Sequence, residues 1–316
     1  MSARKSTPPS HPSKFSARKL APTLRRDPES SALLRRSDTL RGPRRWLALW
    51  RFARSELRLM FGRRRNQAGL VVLALVPILL AVAVKLSPPS RGGGPTFLDQ
   101  ITENGLFVGF TSLTVELTLF LPLAMAMVSG DTIAGEAHVG TLRYLLTVPV
   151  SRPRILAVKY FALVVGAFIA VGTVVVLGAV VGSIIFGTGQ MTTLSGTQIG
   201  LGAGIGRLAV ALVYVALGMC ALAAIGLFLS TLTEQPIAVT VALMVIVAAM
   251  WIVDAVPQLS FLRPWLLVDK WPAFADLMHD PPRWDQMIQG AWVDGAYIVV
   301  FLLAAWARFA GKDITS

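Results

Sequence analysis

Residues 129–159 read SGDTIAGEAHVGTLRYLLTVPVSRPRILAVK, a polar island between two strongly apolar segments. Acids, bases, glycines and prolines fall in it at orderly spacing. Asp131 and Glu136 follow an apolar run that ends at Val128. Gly140 interrupts the helical pattern, and Thr141 can cap a short amphipathic turn carrying Leu142, Leu145 and Leu146. Pro149 stops that turn, because its ring excludes a hydrogen bond and pushes Val148 out of the α region. Ser151 caps a new helix, with Pro153 in the first turn, where a missing N–H costs nothing. The island therefore predicts a helix end, a break, a short surface helix, a second break and a helix start. Such an element presents an exposed knob at a membrane face.

Composition says why the face should be a membrane's. Of the 316 residues 54% are hydrophobic and 15% charged, with mean hydropathy +0.63; soluble domains carry about 25% charged residues. Six apolar runs (residues 69–86, 105–128, 160–187, 207–229, 236–256 and 291–309) are each close to or above the roughly 18–20 residues that cross a bilayer. The expected fold class is an all-α polytopic membrane protein of six transmembrane helices. Six spans put both termini on one side. The net charge of +13 is concentrated in residues 1–65, which hold 18 Lys/Arg against 4 Asp/Glu, while the remainder balances to −1. With the N-terminus cytoplasmic, 24 basic residues fall inside and 6 outside, so the positive-inside rule places both termini and the 129–159 loop in the cytoplasm.

The rest of the chain is organised around those spans. Residues 1–43 are Ser/Pro/Arg-rich with few large apolar side chains, and they read as a disordered basic cytoplasmic tail. Without interleaved aromatics the tail suits anionic lipid rather than nucleic acid. It lacks an apolar stretch of about 7–15 residues, so no cleavable signal peptide is expected. From Arg44 to Arg65 a helical period appears, with Trp46, Trp50, Ala53, Leu57 and Met60 on one stripe and Arg44, Arg51, Arg54, Ser55 and Arg58 mostly opposite. This predicts an interfacial amphipathic helix, apolar face down and arginines among the headgroups. Residues 87–104 read as an ordinary loop, and residues 188–206, rich in Gly and Thr, as a mobile one. Residues 257–290 carry Phe261, Trp265, Trp271, Phe274 and Trp284 among prolines, which predicts short interfacial or re-entrant helices.

The residues of the island also resemble a family. Asp131-Thr-Ile-Ala-Gly-Glu136, Gly140-Thr-Leu, Leu145-Leu146, Pro149-Val-Ser-Arg152 and Lys159 are similar to the cytoplasmic loop of ABC-2-type transporter permeases. His138 and Val158 stand where that family often has an acid and a glycine. The resemblance implies that the loop joins the second and third spans and docks on a separate ATPase subunit. It assigns Asp131, Glu136, Gly140, Thr141, Leu142, Leu145, Leu146, Pro149, Arg152 and Lys159 to that coupling. It further implies a six-span transmembrane domain over 44–316, with 44–65 as its elbow helix and 257–290 as an outer-gate segment. The resemblance points to an ATP-driven exporter in the cell inner membrane, with two ATPase copies and a second permease, identical or different. No G-x-x-x-x-G-K-[ST] phosphate loop is present: Gly311-Lys312 is followed by Asp313. The chain cannot cradle ATP phosphates by that route, so it is not expected to be an enzyme or to hold a cofactor.

Within the spans, Glu116 stands among Thr111, Ser112, Thr114 and Thr118. A carboxyl at that depth is costly unless protonated, paired or wet, so it is the candidate for the translocation path, the plainer alternative being a hydrogen bond to another helix. An ion-coupled secondary transporter using Glu116 as its proton site is the rival reading; inverted repeats, which often mark such folds, are not evident. Pro122 predicts a kink further along the same span. Asp254 and Asp294 fall near span ends, where solvation suffices. Gly178 and Gly182 form a small-xxx-small pair suited to close helix packing. Cys220 reads as a small core residue, and His11, His138 and His279 lie too far apart in sequence to suggest a metal cage.

Overall fold

The computed structural model describes residues 42–87, 104–140 and 152–310. Of the two units into which the chain divides, Met1–Ala48 and Leu49–Ser316, the first contributes only the opening turns of one helix to the described residues. The helical bundle and its charged groups belong to the second. The expectations for the 1–43 tail, apart from its last two residues, and for the 87–104 loop, apart from its two ends, lie outside the described residues.

Helix α1 (Gly42–Gly62) is followed, after an extended Arg63, by α2 (Arg64–Leu86). The second span is not one helix. It consists of α3 (Leu106–Thr118) and α4 (Phe120–Thr132), bent by 58° at Leu119. The cause is Pro122: it has no N–H for the Thr118 carbonyl, and its ring crowds that carbonyl. Leu119 takes φ −143° and ψ −53° between the halves. The proline thus produces the predicted kink as a full break, one turn before itself. A five-residue helix α5 (Ala134–His138) ends at Gly140, whose φ of +73° is the left-handed geometry that glycine supplies at a helix end.

Helix α6 (Arg152–Phe186) runs 35 residues, about 50 Å at the usual rise against a hydrocarbon core of about 30 Å. The helix is therefore longer than the core is thick, and Lys159 stands about two turns from its start. Residues 188–206, expected as a mobile loop, form instead a two-residue antiparallel pair of strands, β1 (Met191–Thr192) with β2 (Gln198–Ile199), followed directly by α7. That helix (Leu201–Leu232) starts six residues before the predicted span, because the glycines at 202, 204 and 206 enter the helix rather than breaking it. Helix α8 (Pro236–Ala255) and α10 (Asp285–Ala310) complete the spans. Between them lie a 3-10 helix (Pro257–Trp265), a single turn α9 (Leu267–Lys270) and a second 3-10 helix (Trp271–Met278). Among the described residues five helices are long and apolar enough to cross a membrane, or six with the bent pair counted as one span.

Small residues let these helices approach. Gly178 and Gly182 of α6 face Gly105 and Gly109 at the start of α3; a Cβ on Gly178 would lie 2.8 Å from the Gly109 Cα, and one on Gly182 would overlap the Gly105 carbonyl. Helix α7 is the central post, buried along most of its length against α4, α6 and α10. The aromatics of the 257–290 segment divide. Trp271 and Phe274 are buried, Phe274 stacking on Phe110 with ring centres 6.4 Å apart, whereas Phe261, Trp265 and Trp284 stay exposed. Short helices were expected there; the inward anchoring of two of the five aromatics was not.

Candidate functional site

At the island end of the spans, charged side chains from α1, α2, α4, α5 and α6 converge. Asp131 sits in the last turn of α4, where a carboxylate opposes the helix dipole and needs compensation. Arg63 and Arg65, from the joint between α1 and α2, supply it at 3.0 and 2.7 Å. Arg65 also donates to the Met127 carbonyl at 3.0 Å. Lys159 lies beside this pair with its side chain 1% exposed. Its ammonium has three donors, and each finds an acceptor: Glu136 Oε1 at 2.7 Å, the Thr132 carbonyl at 3.0 Å and Glu56 Oε2 at 3.2 Å. Two carboxylates thus share one buried cation. Burial pushes the Glu56 carboxyl above the usual carboxylate range; Lys159 opposes the shift, and Glu136 adds to it by repulsion.

The turn that joins α4 to α5 is held from the other side by α7. Ser230 Oγ accepts from the N–H groups of Ile133 (3.1 Å) and Ala134 (2.8 Å) and donates to the Gly130 carbonyl (3.3 Å). A Cβ on Gly226 would collide with the Ser129 side chain, and one on Gly130 would come within 2.8 Å of the Pro236 carbonyl. The start of the island is therefore wedged between α7 and α8 and tied by charge to α1, α2 and α6. Asp131, Glu136 and Lys159, assigned together by resemblance, meet in one cluster. Gly140 closes α5, and Arg152 opens α6. Thr141, Leu142, Leu145, Leu146 and Pro149 lie outside the described residues.

Glu56, Arg63, Arg65 and Ser230 were not singled out in the sequence. Glu56 had a legible signal: it stands three residues after Ala53 and four before Met60, on the stripe read as apolar. In the structure that stripe packs partly on protein, with Ala53 and Glu56 buried while Trp50 is exposed. The arginines gave no such signal, because their partner is 66 or more positions away.

At membrane depth the arrangement is different. Glu116 is wholly buried on α3, and neither carboxyl oxygen has a hydrogen-bond partner among the described residues; Ser112 Oγ, one turn earlier, is likewise unpartnered. The threonines that made this span look polar are satisfied locally, Thr111 donating to the Phe107 carbonyl and Thr114 to that of Phe110. The plainer expectation for Glu116, a hydrogen bond to another helix, is thus not realised. Asp294 corrects another expectation. It is 1% exposed, not solvated, and lies against Gly218 of α7; among the described residues its Oδ1 has no partner, and Trp271 Nε1, at the same glycine, also lacks one. Asp254 is not simply solvated either, since Arg263 donates to its carbonyl at 2.7 Å and pairs with its side chain at 3.4 Å. Among the described residues no three His, Cys, Asp or Glu side chains gather to hold a metal ion.

A bundle of this kind, with a broken span and a charge-locked turn at one end, is that of a multi-pass membrane protein. Residues 53–262, two-thirds of the chain, match the model of the ABC-2 family transporter protein. The chain belongs to that family and is a permease of an ABC-type transporter, which associates with an ABC ATPase subunit. No curated protein matches it.

Proposed function

We propose that this permease forms the translocation path of an ATP-driven exporter in the cell inner membrane and takes its drive from a separate ATPase through residues 129–159. Both termini and the island face the cytoplasm, where the ATPase docks. Two permeases, identical or different, enclose the path, and two ATPase copies serve them. The permease itself performs no catalysis. Closure of the ATPase pair presses on the island. The load passes through Lys159 to α1 and α6 and through Asp131 to α2, and α4 swings about the Leu119 break.

The observation that carries this reading is the shared Lys159, which binds the island's Glu136 and the interfacial helix's Glu56 into one body at the foot of the broken span. A lever needs a stiff arm and a joint, and α4 has both. The unpartnered Glu116 favours the ion-coupled reading as the alternative, in which no ATPase would be needed.

The test is co-purification with the cognate ATPase. Replacing both Leu145 and Leu146 with Ala removes the apolar anchors expected from the island's sequence and should lower recovered ATPase by more than about tenfold. Membrane abundance of the permease should not change. Wild-type recovery together with full transport would remove the island from the coupling path and move the ion-coupled reading ahead. Glu136→Lys is the less clean probe, because it sets a second ammonium against Lys159.

A further inference from the structure

We infer that Glu116 is the recognition group for an apolar organic monocation carried by this permease, closed off in the described conformation and reached by opening at the Leu119 break. The inference rests on the permease reading and adds the class of cargo.

Three observations carry it. The first is the state of the carboxyl itself: fully buried, with both oxygens unpartnered among the described residues, as is the Ser112 Oγ one turn away on the same helix. A carboxyl left so at membrane depth is a functional group by default. The second is the charge balance. The cations nearest to membrane depth are engaged elsewhere: Lys159 by Glu56 and Glu136, Lys270 by Asp269, and Arg207 by Asp280. Nothing described inside the spans pairs with Glu116, so it is neutralised either by a proton or by a cation from outside the fold. The third is the kind of polar group gathered there. Glu116 offers two carboxyl oxygens, and the Ser112 hydroxyl can accept a hydrogen bond or donate one. Acceptor positions there outnumber the one hydroxyl donor, which suits a positive centre better than an anion.

The neighbouring side chains decide what else the cargo carries. Leu113 and Leu117 on the same helix are buried, and among the described residues no three His, Cys, Asp or Glu side chains gather, so a strongly hydrated metal ion would lack the oxygen cage it needs. A cation wrapped in apolar groups meets both halves of the environment. The break supplies access: Leu119, three residues on, is 47% exposed and stands where the span bends by 58°.

The experiment uses a pair of isosteric probes, tetraphenylphosphonium and tetraphenylborate, which differ in the sign of the charge. Full-length permease is placed in phosphatidylethanolamine discs and binding is followed by equilibrium dialysis. Tetraphenylphosphonium should bind saturably and tetraphenylborate should not. Glu116→Gln should weaken the cation by about thirtyfold or more, as expected for loss of one partner of a buried charge pair. Glu116→Asp, which keeps the charge on a shorter arm, should retain part of the affinity. Equal binding of the two probes, or unchanged cation affinity in a folded Glu116→Gln protein, would overturn the inference. If Glu116→Gln fails to fold, the wild-type discrimination between the probes still decides. ATPase co-purification is indifferent to these outcomes, so the cargo reading can fail while the permease reading stands.

Discussion

The island end and the interior of the spans bury acids in opposite ways. At the island end Asp131, Glu136 and Glu56 each face a cation at 3.2 Å or less. Inside the spans Glu116 and Asp294 are at least as well buried and face none among the described residues. Burial of a charge is expensive in both places, and only the first set is offset by cations within the fold, at Glu56 in part, since burial still holds its carboxyl above the ordinary range. The first set thus joins helices into one body. The second is left with unmet chemistry, which a structure tolerates when something else uses it.

Three predictions test this contrast. Lys159→Met should have the largest effect, because it leaves Glu56 and Glu136 facing each other without their shared cation. A loss of about 3–5 kcal/mol is the usual scale for such a break, read as a drop in the thermal unfolding midpoint of the purified permease. Adding Glu56→Gln and Glu136→Gln to that variant should restore much of the loss. A single Lys159→Met protein as stable as wild type would mean that the cluster does not hold the helices together.

Glu116→Gln should behave in the opposite sense. With no partner to lose, its midpoint should stay at the wild-type value or rise, while cation binding falls. A destabilisation beyond about 2 kcal/mol would point to a partner for the carboxyl and make Glu116 structural after all.

The smallest effect concerns pH. Because the folded-state pKa of Glu56 is raised, the folded protein holds a proton that the unfolded chain releases at lower pH. This contribution to stability is fully present below the ordinary carboxylate value of 4.5 and is lost as pH rises through the raised value. Thermal midpoints measured across that window should fall with rising pH, and Glu56→Gln should flatten the fall. An unchanged slope in the variant would assign it to other groups.

Some of these roles were open to a reader of the sequence and others were hidden. The break in the second span was legible in Pro122, because a proline's missing N–H acts on a carbonyl four residues away and needs no tertiary partner. The close approach of Gly178 and Gly182 was equally legible, since spacing along one helix defines a face. The solvation expected of Asp294 was wrong for the complementary reason: position near a span end says nothing about which neighbour covers it, and Gly218, 76 residues earlier, is what allows α7 to do so.

Sequence alone was enough for the class, the number of spans, the family to which the island points and the place of the joint. Each of these follows from local rules: apolar length against bilayer thickness, proline and glycine stereochemistry, and residue types at short offsets. It took the packed bundle to establish that Lys159 is shared by two acids from separate helices, that Arg63 and Arg65 close on Asp131, that Ser230 holds the α4–α5 turn, and that Glu116 has no partner among the described residues. Those facts depend on which side chains meet across the bundle. Short-range interactions carry no record of such meetings, because the chain reaches them only when helices far apart in sequence pack together.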